Sequence, residues 1–230
     1  MSSYTIENIQ KGLIEDNARK VFWINLYNAL YQILAIHENK DKNSIYTDKS
    51  IYFSDAILSL DDIEHGILRK YRWKYSQGYL PQFLPSSTIK KLAVNSIDYR
   101  IHFALNCGAK SCPPIAFYQY EKLDKQLDLA AQSFLENETT VDVANQKLHV
   151  TKIMQWFKGD FGGEKGIKKI ITHYLGGDYS SFTIIFNDYD WGDDLKNFVP
   201  SMETIFNRHL WSTRWKRVPC LNNYFPWPTL

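Results

Sequence analysis

The sequence is poor in the features that would assign it to a function class at once. Its 230 residues carry a net charge of only +2, so charge gives no reason to expect a nucleic-acid or membrane partner. The chain shows no internal repeat and no low-complexity linker. Its first residues, Met1 to Tyr4, contain neither a basic nor an apolar segment, so no secretory signal is visible.

Long apolar runs and cysteines are also scarce. The longest apolar stretch, Val21 to Ile36, is interrupted by Asn25, Asn28 and Gln32, and it is too short and too polar to cross a bilayer. Three cysteines in a chain without a visible signal favour reduced thiols and a cytoplasmic location. The expected partner is a small molecule or a peptide of unknown identity, and the sequence indicates no oligomeric state.

Aromatic residues, in contrast, make up 15% of the chain and hydrophobic residues 44%, which favours a packed core. Apolar residues recur near helical spacing from Asn17 to His37 and predict a central helix. The other predicted helices cover Ser87 to Ala93, Tyr120 to Glu138, Thr151 to Phe157 and Gly166 to Leu175, with a short helix capped by Ser59 or Asp61. The predicted strands are Ile51 to Phe53, Ile101 to Asn106, Val141 to Val143, Lys147 to Val150 and Phe182 to Phe186.

This mixture predicts a single α+β domain, in which the central apolar helix packs on a small mixed sheet with flanking helices. We place the domain at residues 1–196 and expect residues 197–230 to form a C-terminal extension that packs on it.

The segment from Asp98 to Pro114 is the most informative part of the chain. Ile101, Phe103 and Leu105 alternate with more polar or smaller residues, which is the period of a β-strand. Two cysteines follow within a few residues, and the pair of prolines at Pro113 ends the pattern. Reactive side chains at the point where a rigid element enters a tight loop are typical of functional sites.

Three runs of residues carry a family resemblance. They are Phe22 to Leu30, Ile63 to Arg69, and Arg100 to Cys107 continued by Ser111 to Pro114, and together they resemble the domain-of-unknown-function 547 family. The later runs Trp156 to Phe161 and Tyr189 to Trp191 are similar to its C-terminal signatures, so the likeness extends from about Asn17 to Asp194. The resemblance implies a fold and a set of motif residues, but no established reaction.

A first hypothesis makes Cys107 the nucleophile of a thiol-dependent hydrolase or acyl transferase. His102 would be the base, Glu64 would orient it, and Cys112 would be the second candidate thiol. Turn amides around Gly108 would donate hydrogen bonds to an oxyanion. On a regular strand His102 and Cys107 face opposite sides, so the pairing needs the strand to bend or end near Asn106.

A second hypothesis is a zinc site formed by His102, Cys107 and Cys112, with Glu64 or His65 as fourth ligand. The spacing of the two cysteines lies outside that of a typical zinc knuckle, so we predict no metal or other cofactor as the main interpretation.

A third hypothesis is a non-catalytic binding or scaffold domain in which the same residues maintain the core. His102, Arg100, Glu64 and Arg69 would then form a buried polar network, and both cysteines would be packed residues or a redox-labile pair. The residues assigned either to substrate binding or to such a structural network are Asn25, Asn28, Arg69, Arg100, Asn106, Ser111 and Asp190.

Overall fold

The computed structural model describes residues 5–42, 44–54 and 56–199. These residues belong to one compact unit. Most of the predicted C-terminal extension therefore lies outside the described residues. Its first residues do pair with the domain, because the amide of Ile115 donates to the carbonyl of Asn197 at 2.7 Å.

The α-helices are α1 Ile6–Gly12, α2 Asp16–Gln32, α3 Ser87–Leu92, α4 Leu123–Glu138, α5 Ile153–Trp156 and α6 Gly163–Leu175. Segments Ile33–His37 and Asp62–Leu68 are π-helical, and Lys74–Ser76, Tyr99–Phe103 and Tyr120–Lys122 form 3-10 turns. The strands are β1 Ile51–Phe53, β2 Ala56–Leu58, β3 Thr140–Asp142, β4 Lys147–Val150 and β5 Thr183–Phe186. The predicted α+β class is confirmed. Within the described residues no helix has both the length and the apolar character needed to span a membrane.

Helix α2 is the central helix predicted from the sequence. Its side chains Trp23 and Ile24 are fully buried, and Tyr27 is almost so. It packs on the antiparallel pair β1–β2, where the ring of Trp23 lies 5.0 Å from that of Phe53, and against the π-helix Asp62–Leu68. The π-helical continuation to His37 completes the predicted length.

The second sheet has three strands in the order β3-β4-β5, with β3 antiparallel and β5 parallel to β4. It covers a hydrophobic cluster that takes residues from α4, α6 and β4, with Leu148 and Ile167 fully buried. Phe103 enters the same cluster, with its ring 5.5 Å from that of Phe134 and 5.7 Å from that of Phe161. The predicted hairpin and the strand at Phe186 are therefore confirmed.

The predicted strand from Ile101 to Asn106 is wrong. Residues Tyr99–Phe103 form a 3-10 helix, which begins where the Asp98 carboxylate accepts from the amide of Arg100 at 3.1 Å. Ile101, His102, Phe103 and their successors to Asn106 are all buried. The alternation in the sequence does not reflect two faces, because this segment is enclosed on every side.

Candidate functional site

A cavity of about 310 Å³ brings together four predicted site residues: Glu64, His102, Cys107 and Cys112. They come from three parts of the chain, namely the π-helix Asp62–Leu68, the 3-10 helix Tyr99–Phe103 and the loop that follows it. The cavity is also lined by His65 and by aromatic side chains that the sequence analysis did not assign to a site, Tyr27, Tyr46, Trp156, Phe157, Tyr189 and Trp191.

The π-helix carries Glu64 and His65 into the cavity because its first turn is fixed by a reciprocal cap. The hydroxyl of Ser59 accepts from the amide of Asp62 at 3.1 Å, and the carboxylate of Asp62 accepts from the amide of Ser59 at 2.8 Å. The Ser59 cap predicted from the sequence is thus confirmed. Glu64 accepts a hydrogen bond from the hydroxyl of Tyr27 at 3.1 Å, which ties it to the central helix.

Behind the cavity lies a buried network that we call the polar side, formed by His65, Arg69, His102 and Asp160. Arg69 donates through Nε to Asp160 Oδ2 at 2.6 Å and through Nη1 to His65 Nδ1 at 2.7 Å. Nε2 of His102 lies 2.9 Å from the same Asp160 oxygen. The side chains of Arg69 and Asp160 are both fully enclosed.

Burial sets the protonation of the polar side. It lowers the pKa of His65 to about 3, with the adjacent Arg69 acting in the same direction, and it also lowers the pKa of His102. Burial by itself would raise the pKa of Asp160, but the contacts from His102 and Arg69 outweigh it and hold that pKa below its usual value. Both imidazoles are therefore neutral at pH 7 beside an ionised Asp160.

These contacts also fix the tautomers. Because a guanidinium only donates, Nδ1 of His65 accepts from Arg69 and its proton lies on Nε2. In His102, Nε2 donates to the carboxylate of Asp160, so Nδ1 is the unprotonated nitrogen. Asp160 thus takes the orienting place that the sequence analysis gave to Glu64.

The ring of Phe157 joins the members of the polar side. It stacks on His102 with 4.1 Å between ring centroids, and the guanidinium carbon of Arg69 lies 4.4 Å from its centroid. The backbone of Gly78 approaches Asp160 so closely that an added Cβ would lie 2.3 Å from Oδ1, and its φ of +87° also favours glycine. The Phe157 ring thus covers the partners of Asp160, and the backbone of Gly78 covers the Asp160 carboxylate itself.

A second group of residues at the cavity, which we call the sulfur side, consists of Cys107, Cys112 and Tyr189. The two cysteines form a disulfide. The prediction of reduced thiols is therefore wrong for this pair. The hydroxyl of Tyr189 lies 3.1 Å from Cys107 Sγ and 3.0 Å from Cys112 Sγ, and the amide of Cys107 donates to Cys112 Sγ at 3.0 Å. A nucleophilic Cys107 therefore requires prior reduction of this bond.

Three of the turn amides predicted to bind an oxyanion, those of Gly108, Lys110 and Ser111, are engaged within the protein. The amide of Gly108 donates to the side chain of Asn106, that of Lys110 to the carbonyl of Gly192, and that of Ser111 to the carbonyl of Asp190. This turn holds the loop to the segment after Tyr189 and does not present those amides to the cavity.

The asparagines of the predicted set all bond to backbone groups of the protein. Asn25 bonds both the amide and the carbonyl of Tyr118, at 3.0 and 2.9 Å. Asn28 donates to the carbonyl of Ala104 and accepts from the amide of Asn106, both at 2.9 Å. Asn106 in turn donates to the carbonyl of Pro113 at 2.7 Å, so the seam on α2 positions the loop that carries the cysteines.

None of the seven residues assigned to substrate binding or to a structural network lines the cavity. Arg100, which the sequence analysis placed in a network with Glu64 and Arg69, pairs instead with Asp98 at 2.9 Å and Asp124 at 2.7 Å. The hydroxyl of Ser111 accepts from the amide of Asp190 at 2.9 Å, and that pair braces the loop from outside. The arginine that belongs to the buried network is Arg69.

Sequence reasoning missed Asp160 and Tyr189 as site residues. A signal was available, since Asp160 lies in the run Trp156 to Phe161 and Tyr189 begins the run that ends at Trp191, both of which resemble family signatures. Neither run showed its role, because each acquires it only by meeting residues far away in the sequence.

The predicted zinc ligands lie around one cavity, but the thiolates that zinc would need are joined to each other. In the described part of the chain no group of three or more histidine, cysteine or acidic side chains is arranged to hold a metal ion.

Comparison with curated proteins gives no match, and comparison with solved structures gives none. A family model does match, over residues 10–135, which is more than half of the chain and includes the π-helix Asp62–Leu68, His102 and both cysteines of the cavity. The chain belongs to the family described as "Protein of unknown function, DUF547".

Proposed function

We propose that the protein is a non-catalytic binding domain whose cavity takes a small molecule, or the end of a peptide, through a cationic or hydrogen-bond-donating group. The observation that carries the proposal is a carboxyl group, Glu64, set in an aromatic cavity with no charged partner among the described residues. The nearest group that could carry a positive charge is the ring of His65, with Nδ1 at 3.8 Å, and burial keeps that ring neutral.

The other charges at the cavity support a ligand with a positive group. Asp61 pairs with Lys74 at 2.5 Å, so these two compensate each other and Glu64 supplies the uncompensated charge. The rings of Trp156, Tyr189 and Trp191 contact one another with centroids 4.6 to 5.5 Å apart and form one aromatic wall. Such a wall suits an apolar group or a cation.

The size of the cavity sets the ligand class. A volume of about 310 Å³ lies at the small end of the range for ligand sites, so the proposed occupant is a small amine or the first residue of a peptide. The polar side would then be the frame that holds Glu64 and the aromatic wall in place.

Tryptophan fluorescence tests this proposal, because Trp156 and Trp191 line the cavity. Titration with phenethylamine is expected to change the emission, and the matched anion 3-phenylpropanoate is expected to bind at least about tenfold more weakly. Glu64→Gln keeps an acceptor for Tyr27 but removes the charge, and should abolish the preference for the amine. The exposed Glu121→Gln is the control. Equal binding of the two probes, or a preference that survives Glu64→Gln, contradicts the proposal.

A second candidate is the thiol-dependent hydrolase or acyl transferase. It is favoured by one specific observation, which is that Cys107, His102 and Glu64 line the same cavity. After reduction Cys107 would be the nucleophile and His102 the base, with Asp160 holding its Nε2 proton. Cys112 is the alternative thiol.

Iodoacetamide labelling of the reduced protein across pH tests this candidate. One cysteine should label with a depressed pKa, and His102→Ala should raise that pKa. If neither Cys107 nor Cys112 labels faster than a model thiol in the folded protein, this candidate is wrong.

A further inference from the structure

The two cysteines of the disulfide differ in their access to solvent. Cys107 is partly exposed at the cavity, whereas Cys112 retains only 4% of its accessible surface. Both cysteines line the cavity, and Cys107 is the more exposed of the two, so it is the expected point of attack for an entering thiolate. Exchange of a disulfide requires attack along an open approach to one sulfur, while the other sulfur leaves.

The buried sulfur is the one that the protein is built to receive as a thiolate. The amide of Cys107 donates to Cys112 Sγ at 3.0 Å, and the hydroxyl of Tyr189 lies at 3.0 Å from it. A disulfide sulfur carries no proton, so Tyr189 is the donor. Burial raises the pKa of Tyr189, which keeps that hydroxyl protonated. Hydrogen bonds to a thiolate stabilise the charged form and make it a better leaving group.

The loop that holds the cysteines is fixed independently of their bond. The amide of Lys110 donates to the carbonyl of Gly192, and the amide of Asp194 donates to the carbonyl of Gly108, both at 2.8 Å. Asn106 ties the two ends of the loop through the carbonyl of Pro113 at 2.7 Å. The sulfurs would therefore stay adjacent after reduction.

We propose that Cys107 and Cys112 form a redox-active pair that oxidises small monothiols by thiol–disulfide exchange. A monothiolate attacks Cys107 Sγ, the bond between the two cysteine sulfurs breaks, and Cys112 leaves as a thiolate that accepts from Tyr189 and the Cys107 amide. A second monothiolate attacks the outer sulfur of the mixed disulfide and releases Cys107 as a thiolate. Two thiols become one external disulfide, and the protein becomes a dithiol. This activity needs no occupant at Glu64, so it stands or falls apart from the proposed binding function.

Peptide mapping of the mixed disulfide provides the test. The oxidised full chain, carrying Cys220→Ser so that the third cysteine does not intercept, is mixed with reduced glutathione and quenched with acid. The adduct is expected on Cys107. With Cys112→Ser and oxidised glutathione, the same adduct should form and persist, because no neighbouring thiol resolves it. An adduct that forms first on Cys112, or none until urea unfolds the chain, overturns the proposal.

Tyr189→Phe tests the role of the hydroxyl, with the exposed Tyr52→Phe as matched control. The first-step rate constant should fall about fivefold in Tyr189→Phe, the loss that corresponds to one hydrogen bond, and should not change in Tyr52→Phe. Equal rates in the two tyrosine variants overturn the assigned role of Tyr189. If Tyr189→Phe fails to fold by circular dichroism, the position of the glutathione adduct decides.

Discussion

The polar side and the sulfur side of the cavity are held in place in different ways. On the polar side, the bonds run between side chains: Arg69 and His102 are enclosed, and both bond to Asp160. On the sulfur side, backbone hydrogen bonds join the cysteine loop to the segment from Tyr189 to Asp194. The first arrangement depends on protonation and fails if one member is removed. The second rests on backbone bonds that do not require the disulfide, and it leaves its side chains available for chemistry.

The largest expected effect comes from Arg69→Met. The substitution leaves the carboxylate of Asp160 buried without its cation, and we expect it to lower the free energy of unfolding by roughly 3–5 kcal/mol. Urea denaturation at pH 7 measures the loss. The control is Lys91→Gln, which breaks an exposed contact with Glu7 at 2.7 Å and should have little effect. Equal stability of Arg69→Met and the wild type would show that the polar side does not frame the cavity.

Reduction of the disulfide should have a smaller effect. The cysteines are five positions apart, and closing so short a loop stabilises a fold by about 2 kcal/mol in the chain-entropy account. Urea denaturation with and without a phosphine reductant gives this value. The double variant Cys107→Ala/Cys112→Ala should be insensitive to the reductant. A loss as large as that of Arg69→Met would mean that the disulfide, and not the backbone bonds, holds the sulfur side.

The pH dependence of stability should come from the polar side. The pKa of His65 is about 3 in the folded chain and about 6.5 when unfolded, so below pH 6.5 the unfolded state binds a proton that the folded state does not. Stability therefore falls as the pH drops, by about 2 kcal/mol between pH 7 and pH 5 from this residue. In His65→Gln, which keeps an acceptor for Arg69, that part of the loss should vanish. An unchanged difference between the two pH values contradicts the neutral His65.

Tyr27→Phe should have the smallest effect of the series. It removes one hydrogen bond to Glu64, and we expect a loss of about 1 kcal/mol by urea denaturation. Because Glu64 keeps its charge, the preference for phenethylamine should remain. Loss of the preference in this variant, with Glu64 intact, would mean that the position of Glu64 matters more than its charge.

Much of the fold was predictable because its signals are local. The central helix, the hairpin before Val150 and the cap at Ser59 each arise from neighbours a few residues apart. For the segment from Ile101 to Asn106, the local signal gave the wrong prediction. Its alternation of apolar residues fits a strand, but the side chain of Asp98 caps a 3-10 helix at this point. Because the segment is buried on all sides, the alternation does not separate a buried face from an exposed one.

The candidate site was predicted in part for the same reason. Glu64, His102 and the two cysteines belong to short runs of unusual composition, and the structure gathers them at one cavity. Asp160 lies 58 positions after His102, and Tyr189 lies 82 positions after Cys107. No local pattern links residues so far apart, and so their roles could not be predicted.

The amino-acid sequence by itself determined the α+β class, the apolar central helix with its asparagine seam, the family, and the part of the chain where reactive groups gather. Only the tertiary structure decided which groups meet: Asp160 with His102, Arg69 but not Arg100 with Asp160, and Tyr189 with both sulfurs. The physical reason is the distance along the chain over which each interaction acts. Helix periodicity and capping act over a few residues, whereas burial, ion pairing and sulfur contacts depend on distances that exist only after the chain has folded.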